Sequence, residues 1–342
     1  MTHVATRRSF RLTSVLAEYE RILVVTHNNP DPDAIATGWA ICTLVTECLG
    51  MPAKLVAGGA ILRAENARMV ELLSAPIELV DDVVEDPLTG IVLVDCTVGG
   101  NNHLLSDTEI RPVAVVDHHD DAECKARLRY RDVRTRLVAC STIATQYLQE
   151  QEIEPTRDLA TALAYGIQSD ALNNPVLTPS DYRALSWLAL RYDFQKMTEI
   201  QHAPLPRSYF GELKSALRDA RVCSDSGFCF LSRASNAEIV PEMSDILIRT
   251  EGLQRVLCAA VVHGDGLVSV RTTAACGGAV NMARSILKGL GRGGGNNRRA
   301  GGRIPGVGRS RAAREDLRSL LKTRWLEVCG SDPETWEPLV HR

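Results

Sequence analysis

No pair among the ten cysteines has Cys-x-x-Cys spacing, which argues against a structural zinc ribbon. Many of them lie inside apolar runs, where a free thiol behaves as a small hydrophobe. No apolar segment follows Arg7 and Arg8 as a signal peptide would require, so a reducing cytoplasm is the expected compartment. The longest apolar stretch, Ala34 to Gly50, is broken by Thr37, Thr43, Thr46 and Glu47 and is too short and polar to span a bilayer. No internal repeat is found. The net charge of −3 does not advertise nucleic-acid binding. Acidic residues are missing between Arg284 and Arg314, where nine Lys or Arg residues stand. Such a stretch can meet phosphate, although a solvated face is the ordinary reading of a charge cluster.

A length of 342 residues predicts two domains, and 45% apolar residues suffice for sizeable cores. Short Val- and Ile-rich runs at 22–26, 54–57, 91–95 and 112–116 read as buried parallel strands. Helical patterns at 33–49, 64–74, 141–149, 157–166 and 180–191 follow or separate them. Gly50 and Pro52 mark the stop of the first helix. This alternation predicts an α/β protein with a doubly wound parallel sheet. The prolines of Gln201–Pro206 mark a boundary to a second, smaller α/β domain. There helices are expected at 208–220, 241–250 and 279–290, and strands at 227–231, 255–263 and 267–272. The expected division is a catalytic domain at 15–195, a linker at 196–210, a second domain at 211–310, and a C-terminal helix and tail at 311–342.

The candidate chemistry sits just after three of the strands. His27, Asp31 and Asp33 follow the first, Asp95 ends another, and Asp117, His118 and His119 follow a third. Ligands gather at the carboxyl ends of strands in open α/β sheets. Asp and His side chains together suit one or two divalent cations. Asn28, Asn29, Pro30 and Pro32 are turn residues, and alone they read as a plain turn. Asp33 stands where a helix begins and suits an N-cap. Asp117 suits an acceptor that fixes an imidazole tautomer. Asp170, at a helix end, can complete a metal shell or be merely a polar helix terminus. The run Gly293–Gly302 permits close backbone approach to a ligand, and its amides and arginines can hold phosphate; the alternative is a flexible surface loop. Arg271 ends a strand of the same region.

Together these residues resemble the DHH phosphoesterase family. His27-x-x-x-Asp31-x-Asp33 resembles its first motif, Asp95 the second, Asp117-His118-His119 the third and Asp170 the fourth. Ser269-Val270-Arg271 and the Gly293–Gly302 run resemble its associated C-terminal domain. The resemblance implies two Mn²⁺ ions, with Mg²⁺ or Co²⁺ as substitutes. His27, Asp31 and Asp95 would hold one; Asp33, Asp95, His118 and Asp170 would hold the other, with Asp95 bridging. His119 would touch the scissile phosphate. A second domain across a cleft would grip the substrate through Arg271, Gly294, Gly295, Asn296, Arg298 and Arg299. The short two-domain members resembled here act on very short RNA, linear dinucleotides or 3′-phosphoadenosine-5′-phosphate. A short nucleotide or oligoribonucleotide is thus the expected partner, with no membrane and a homodimer left open. Pyrophosphate or polyphosphate hydrolysis is the nearest rival, and a weakly catalytic nucleotide-binding regulator is another. Two departures stand out: Asn296 takes the place of the family's His, and no Arg follows shortly after Asp95.

Overall fold

The computed structural model describes residues 7–100, 102–119, 127–172, 176–330 and 335–340. Chain contacts divide it into two compact units, one ending at Pro204 and the other starting at Leu205.

The first unit opens on helix α1 (Arg8–Leu16) and strand β1 (Arg21–Val25). Helix α2 (Pro32–Leu49), strand β2 (Ala53–Ala57), helix α3 (Ala64–Leu73) and strand β3 (Ile77–Leu79) follow. Strands β4 (Thr89–Val94), β5 (Ala114–Asp117) and β6 (Tyr130–Val133) come next. Four helices close the unit: α4 (Cys140–Glu150), α5 (Arg157–Ala171), α6 (Pro179–Ala189) and α7 (Phe194–Gln201). The six strands form one parallel sheet in the order β3-β2-β1-β4-β5-β6. This is the order of a doubly wound sheet, and its switch point lies between β1 and β4.

Alternation along β1 sorts the two faces. Ile22 and Val24 pack with Ile41, Leu44 and Val45 of α2, and with Leu12 and Leu16 of α1. Leu23 and Val25 pack on the other face with Val56, Leu93 and Val115, under Val80, Val83, Leu104 and Ile110 of the connecting segments. Among the described residues no helix covers that second face. Helix α2 starts where Pro32 fixes the first helical φ and Asp31 accepts from the Ala34 amide at 3.0 Å. It stops at Gly50, whose φ of 64° is the left-handed cap that glycine adopts without strain. Asp31 therefore fills the capping role that the sequence suggested for Asp33. Gly166 of α5 permits a close approach: a β-carbon there would lie 3.1 Å from the Asp33 Cα and 2.5 Å from Ser141 Oγ.

The second unit comprises helix α8 (Arg207–Asp219), strands β7 (Arg221–Cys223) and β8 (Ser226–Leu231), and helix α9 (Ile239–Leu247). Strands β9 (Arg255–Val262) and β10 (Asp265–Thr272) lead to helix α10 (Ala279–Leu287). Strands β11 (Arg292–Gly295) and β12 (Arg299–Ile304), helix α11 (Arg311–Cys329) and strand β13 (Glu337–Pro338) end it. The seven strands run β11-β12-β10-β9-β8-β7-β13, antiparallel except for the β8–β9 pair. Helix α11 buries Leu317, Leu321 and Trp325 against this sheet and α10.

Several expectations need correction. The start at 15 omits α1, whose Leu12 and Leu16 are core. The stretch 196–210 holds most of α7 and the start of α8, leaving 202–206 between helices. The glycine run is no open loop: β11 and β12 form an antiparallel hairpin, with Gly293 opposite Gly302. A β-carbon on Gly302 would come within 2.8 Å of the Gly293 Cα, so only glycine lets these strands pair so closely. No helix among the described residues is long and apolar enough to cross a membrane.

Candidate metal centre

Strand order delivers the candidate ligands to one sheet edge. β1 ends at Val25 and leads to His27, β4 ends at Val94 and leads to Asp95, and β5 ends at Asp117. Asp33 lies in the first turn of α2, and Asp170 in the last turn of α5. Asp95 has φ 55°, an uncommon left-handed conformation, and its amide donates to the Val116 carbonyl at 3.0 Å.

His27 Nε2 lies 3.7 Å from Asp31 Oδ1 and 3.7 Å from Asp95 Oδ2. His118 Nε2 lies 3.4 Å from the other Asp95 oxygen, Oδ1, and 3.5 Å from Asp170 Oδ2. One donor atom each from His27, Asp31 and Asp95 falls within 4.8 Å of the others. The same holds for Asp33, Asp95, His118 and Cys140. The structure thus brings together all six residues expected to hold metal, with Asp95 common to both groups. Cys140 is an addition that sequence reasoning missed. Its buried thiol donates to Asp95 Oδ1 at 3.4 Å.

Hydrogen bonds select the imidazole tautomers. His27 Nδ1 lies 2.9 Å from the Asn28 carbonyl, and His118 Nδ1 3.3 Å from the Leu137 carbonyl. A carbonyl only accepts, so each Nδ1 carries the proton and each Nε2 is directed at carboxylates. His118 Nε2 is buried without a hydrogen-bond partner. Asp33 receives the Cys140 amide on Oδ2 and the Ser141 amide on Oδ1, both at 2.7 Å. His119 Nδ1 lies 2.9 Å from Asp117 Oδ1, so Asp117 holds that ring.

The electrostatics show a cluster short of positive charge. Burial and then the charge of Asp95 push the Asp33 carboxyl up to about 7. Burial, with Asp31 and Asp33, pushes Asp170 well above the carboxylate range. Burial opposes charge on His27 and His118, but their carboxylate neighbours outweigh it and raise both imidazoles well above their ordinary value. Asp95 is held well below the carboxylate range by His118 and His27 despite its burial. The cluster retains protons that a divalent cation would displace. Four carboxylates and two Nε2 atoms, one of them the orphaned His118 nitrogen, fit such ions.

The residues expected to bind substrate lie in the second unit. Arg271 is 7% exposed, and its Nε donates to Asp245 Oδ1 at 2.5 Å. Arg299 reaches the same oxygen at 3.4 Å. Gly294, Gly295 and Asn296 are exposed and Arg298 is half-buried. Asn296 Oδ1 accepts the amides of Arg298 and Arg299 at 2.9 Å each, closing the hairpin turn. The carbonyls of Asn296 and Asn297 accept the Val280 and Ala279 amides at 3.2 and 3.0 Å. The start of α10 is therefore capped by the turn.

Residues 21–167 match the DHH family, N-terminal domain. An uncharacterized protein of Methanocaldococcus jannaschii is 31% identical over 321 residues, covering 92% of this chain and 65% of that one. The manganese-dependent inorganic pyrophosphatase of Bacillus subtilis is 27% identical over 175 residues, 50% of this chain and 55% of that one. The chain thus spans between half and two thirds of these two relatives. The crystal structure of an exopolyphosphatase-related protein from Bacteroides fragilis superposes with a TM-score of 0.72 at 15% identity, over 96% of this chain and 100% of that one. That likeness is one of fold.

Proposed function

We propose that the protein is a metal-dependent phosphoesterase that hydrolyses short phosphoester substrates at this centre. The observation that carries the reading is Asp95, which offers one oxygen to the His27 group and the other to the His118 group. His27, Asp31 and Asp95 would hold one ion; Asp33, Asp95, His118 and Asp170 would hold a second. Mn²⁺ suits this mixed oxygen and imidazole set, and the pyrophosphatase relative named above supports it. Such ions, when bound, lower the pKa of a water and neutralise phosphoryl oxygens.

The chain's own groups orient and charge the site. His119 is half-exposed, and its Nδ1 is tied to Asp117, which leaves Nε2 for substrate. Burial disfavours its charge, but Asp117 and Asp95 outweigh that and raise it, so it presents a positive charge to a phosphoryl oxygen. In the second unit Arg271, Gly294, Gly295, Asn296, Arg298 and Arg299 are the proposed substrate contacts. Arg298 is the cation we assign to phosphate, since Arg271 and Arg299 already face Asp245.

The substrates we assign are short oligoribonucleotides, linear dinucleotides or 3′-phosphoadenosine-5′-phosphate, a reading supported by the resemblance of the motifs. Pyrophosphate hydrolysis is the second reading, favoured by relatives named as manganese-dependent inorganic pyrophosphatases. The test is product analysis of Mn²⁺-loaded protein on di- to pentaribonucleotides, linear dinucleotides, 3′-phosphoadenosine-5′-phosphate and pyrophosphate. AMP release supports the first reading and phosphate from pyrophosphate the second. No turnover on the whole panel, with tight nucleotide binding, would leave a regulator instead.

A further inference from the structure

Residues 137–142, at the entry to α4, touch three candidate ligands from behind. The Leu137 carbonyl accepts from His118 Nδ1, the Cys140 and Ser141 amides hold Asp33, and the Cys140 thiol donates to Asp95. These three are the core of the set proposed for the second ion. His27 and Asp31 are oriented elsewhere, by the Asn28 carbonyl and the Ala34 amide. The short segment is thus a cradle for three ligands of the second ion position but only for the shared Asp95 of the first.

The cradle is itself held by a carboxylate on another helix. Asp181 of α6 is fully buried. Its Oδ1 accepts the Thr142 hydroxyl at 2.7 Å and the Val138 amide at 3.3 Å. Its Oδ2 accepts the Thr178 amide and hydroxyl, both at 2.7 Å, in a capping box at the start of α6. Every one of these donors is neutral, and all point at the carboxylate. An amide in its place would set its own N–H groups against donors on one side. We propose that Asp181 is a positioning residue for the second ion, acting through Thr142 and residues 137–142 on Asp33, Asp95 and His118. The inference rests on the two-ion reading above. Removing such an outer partner typically costs ~10–100-fold in metal affinity.

The experiment titrates metal-free protein with Mn²⁺ by calorimetry, comparing wild type, Thr142→Val, Thr142→Ser and Asp181→Asn. Thr142→Val keeps the side-chain shape and leaves the α6 capping box intact. The expected result is two equivalents in wild type and in Thr142→Ser. In Thr142→Val one equivalent weakens about tenfold while the other, which shares only Asp95 with the segment, changes much less, and Asp181→Asn weakens the same equivalent. In turnover the loss falls on kcat rather than KM. Two unaltered equivalents in Thr142→Val and Asp181→Asn overturn the inference, as does an equal weakening of both that tracks a lower Tm. A wild type that binds fewer than two ions overturns the functional reading and the inference with it.

Discussion

His118 Nε2 lies 3.4 Å from Asp95 Oδ1 and has no hydrogen-bond partner, although it is buried. A buried nitrogen without a partner costs ~1–3 kcal/mol, so it calls for a ligand. Asp95 turns its second oxygen to His27 at 3.7 Å. Asp95→Ala should therefore abolish turnover and lower affinity for both ions. Turnover and bound metal are measured together; near-normal activity in the variant contradicts the shared carboxylate.

Metal binding should tighten as pH rises. In the metal-free cluster Asp33 is raised to about 7, chiefly by burial, and Asp170 is raised too. A raised carboxyl stabilises the fold in full below its ordinary pKa, and that contribution is lost as pH rises through 7. The metal-free protein should lose thermal stability from about pH 4 to 7, as the raised carboxyls ionise. Mn²⁺ should remove much of that loss, because binding releases the same protons. Melting curves with and without metal across this range decide it; parallel pH dependences contradict the account.

Gly166→Ala should damage the centre without touching a ligand side chain. Its β-carbon would meet the Asp33 Cα and Ser141 Oγ. Overpacking of this kind costs ~1–3 kcal/mol. The variant should unfold at lower denaturant and bind metal more weakly; wild-type values of both would show that the helices can shift.

Asp132 tests an anchor away from the site. Its 1%-exposed carboxylate pairs with Arg134 at 2.6 Å and with Arg8, and accepts from the Tyr147 hydroxyl at 2.6 Å. It ties β6 to α1 and α4. Asp132→Ala leaves the partly exposed Arg134 and the buried Tyr147 hydroxyl without their acceptor and should cost ~1–3 kcal/mol. Denaturant unfolding reads the loss; a change below about 1 kcal/mol would place the anchor elsewhere.

Asn296→Ala should loosen the hairpin turn by ~0.5–1.5 kcal/mol, because its side chain accepts two backbone amides. Asn296→Asp keeps the acceptor and should preserve the turn. Substrate KM should rise in the alanine variant; equal KM in all three proteins would remove Asn296 from the substrate contacts.

Five of the six metal candidates were legible because they follow short apolar strands; Asp170, in the last turn of α5, stands out through the family resemblance. Runs such as Ile91–Val94 announce burial, and an Asp after them needs a partner. The supporting groups were not legible. The Cys140 and Ser141 amides and the Leu137 carbonyl have no side-chain signature, and Asp181 reads from sequence as an ordinary helix-start residue. Strand β6 was hidden because Tyr130, Arg131, Asp132 and Val133 mix charge with burial. Asp132 is buried there because Arg8 and Tyr147, distant in sequence, reach it together with its neighbour Arg134. The glycine run misled because glycine serves open loops and closely paired strands alike. Here Leu287 and the facing backbone fill the space that side chains would need.

The most direct test of the central claim counts Mn²⁺ ions bound to wild type and to Asp95→Ala by calorimetric titration. Two equivalents in the wild type, both weakened in the variant, are predicted. Two equivalents that survive unchanged without the Asp95 carboxylate would contradict the account.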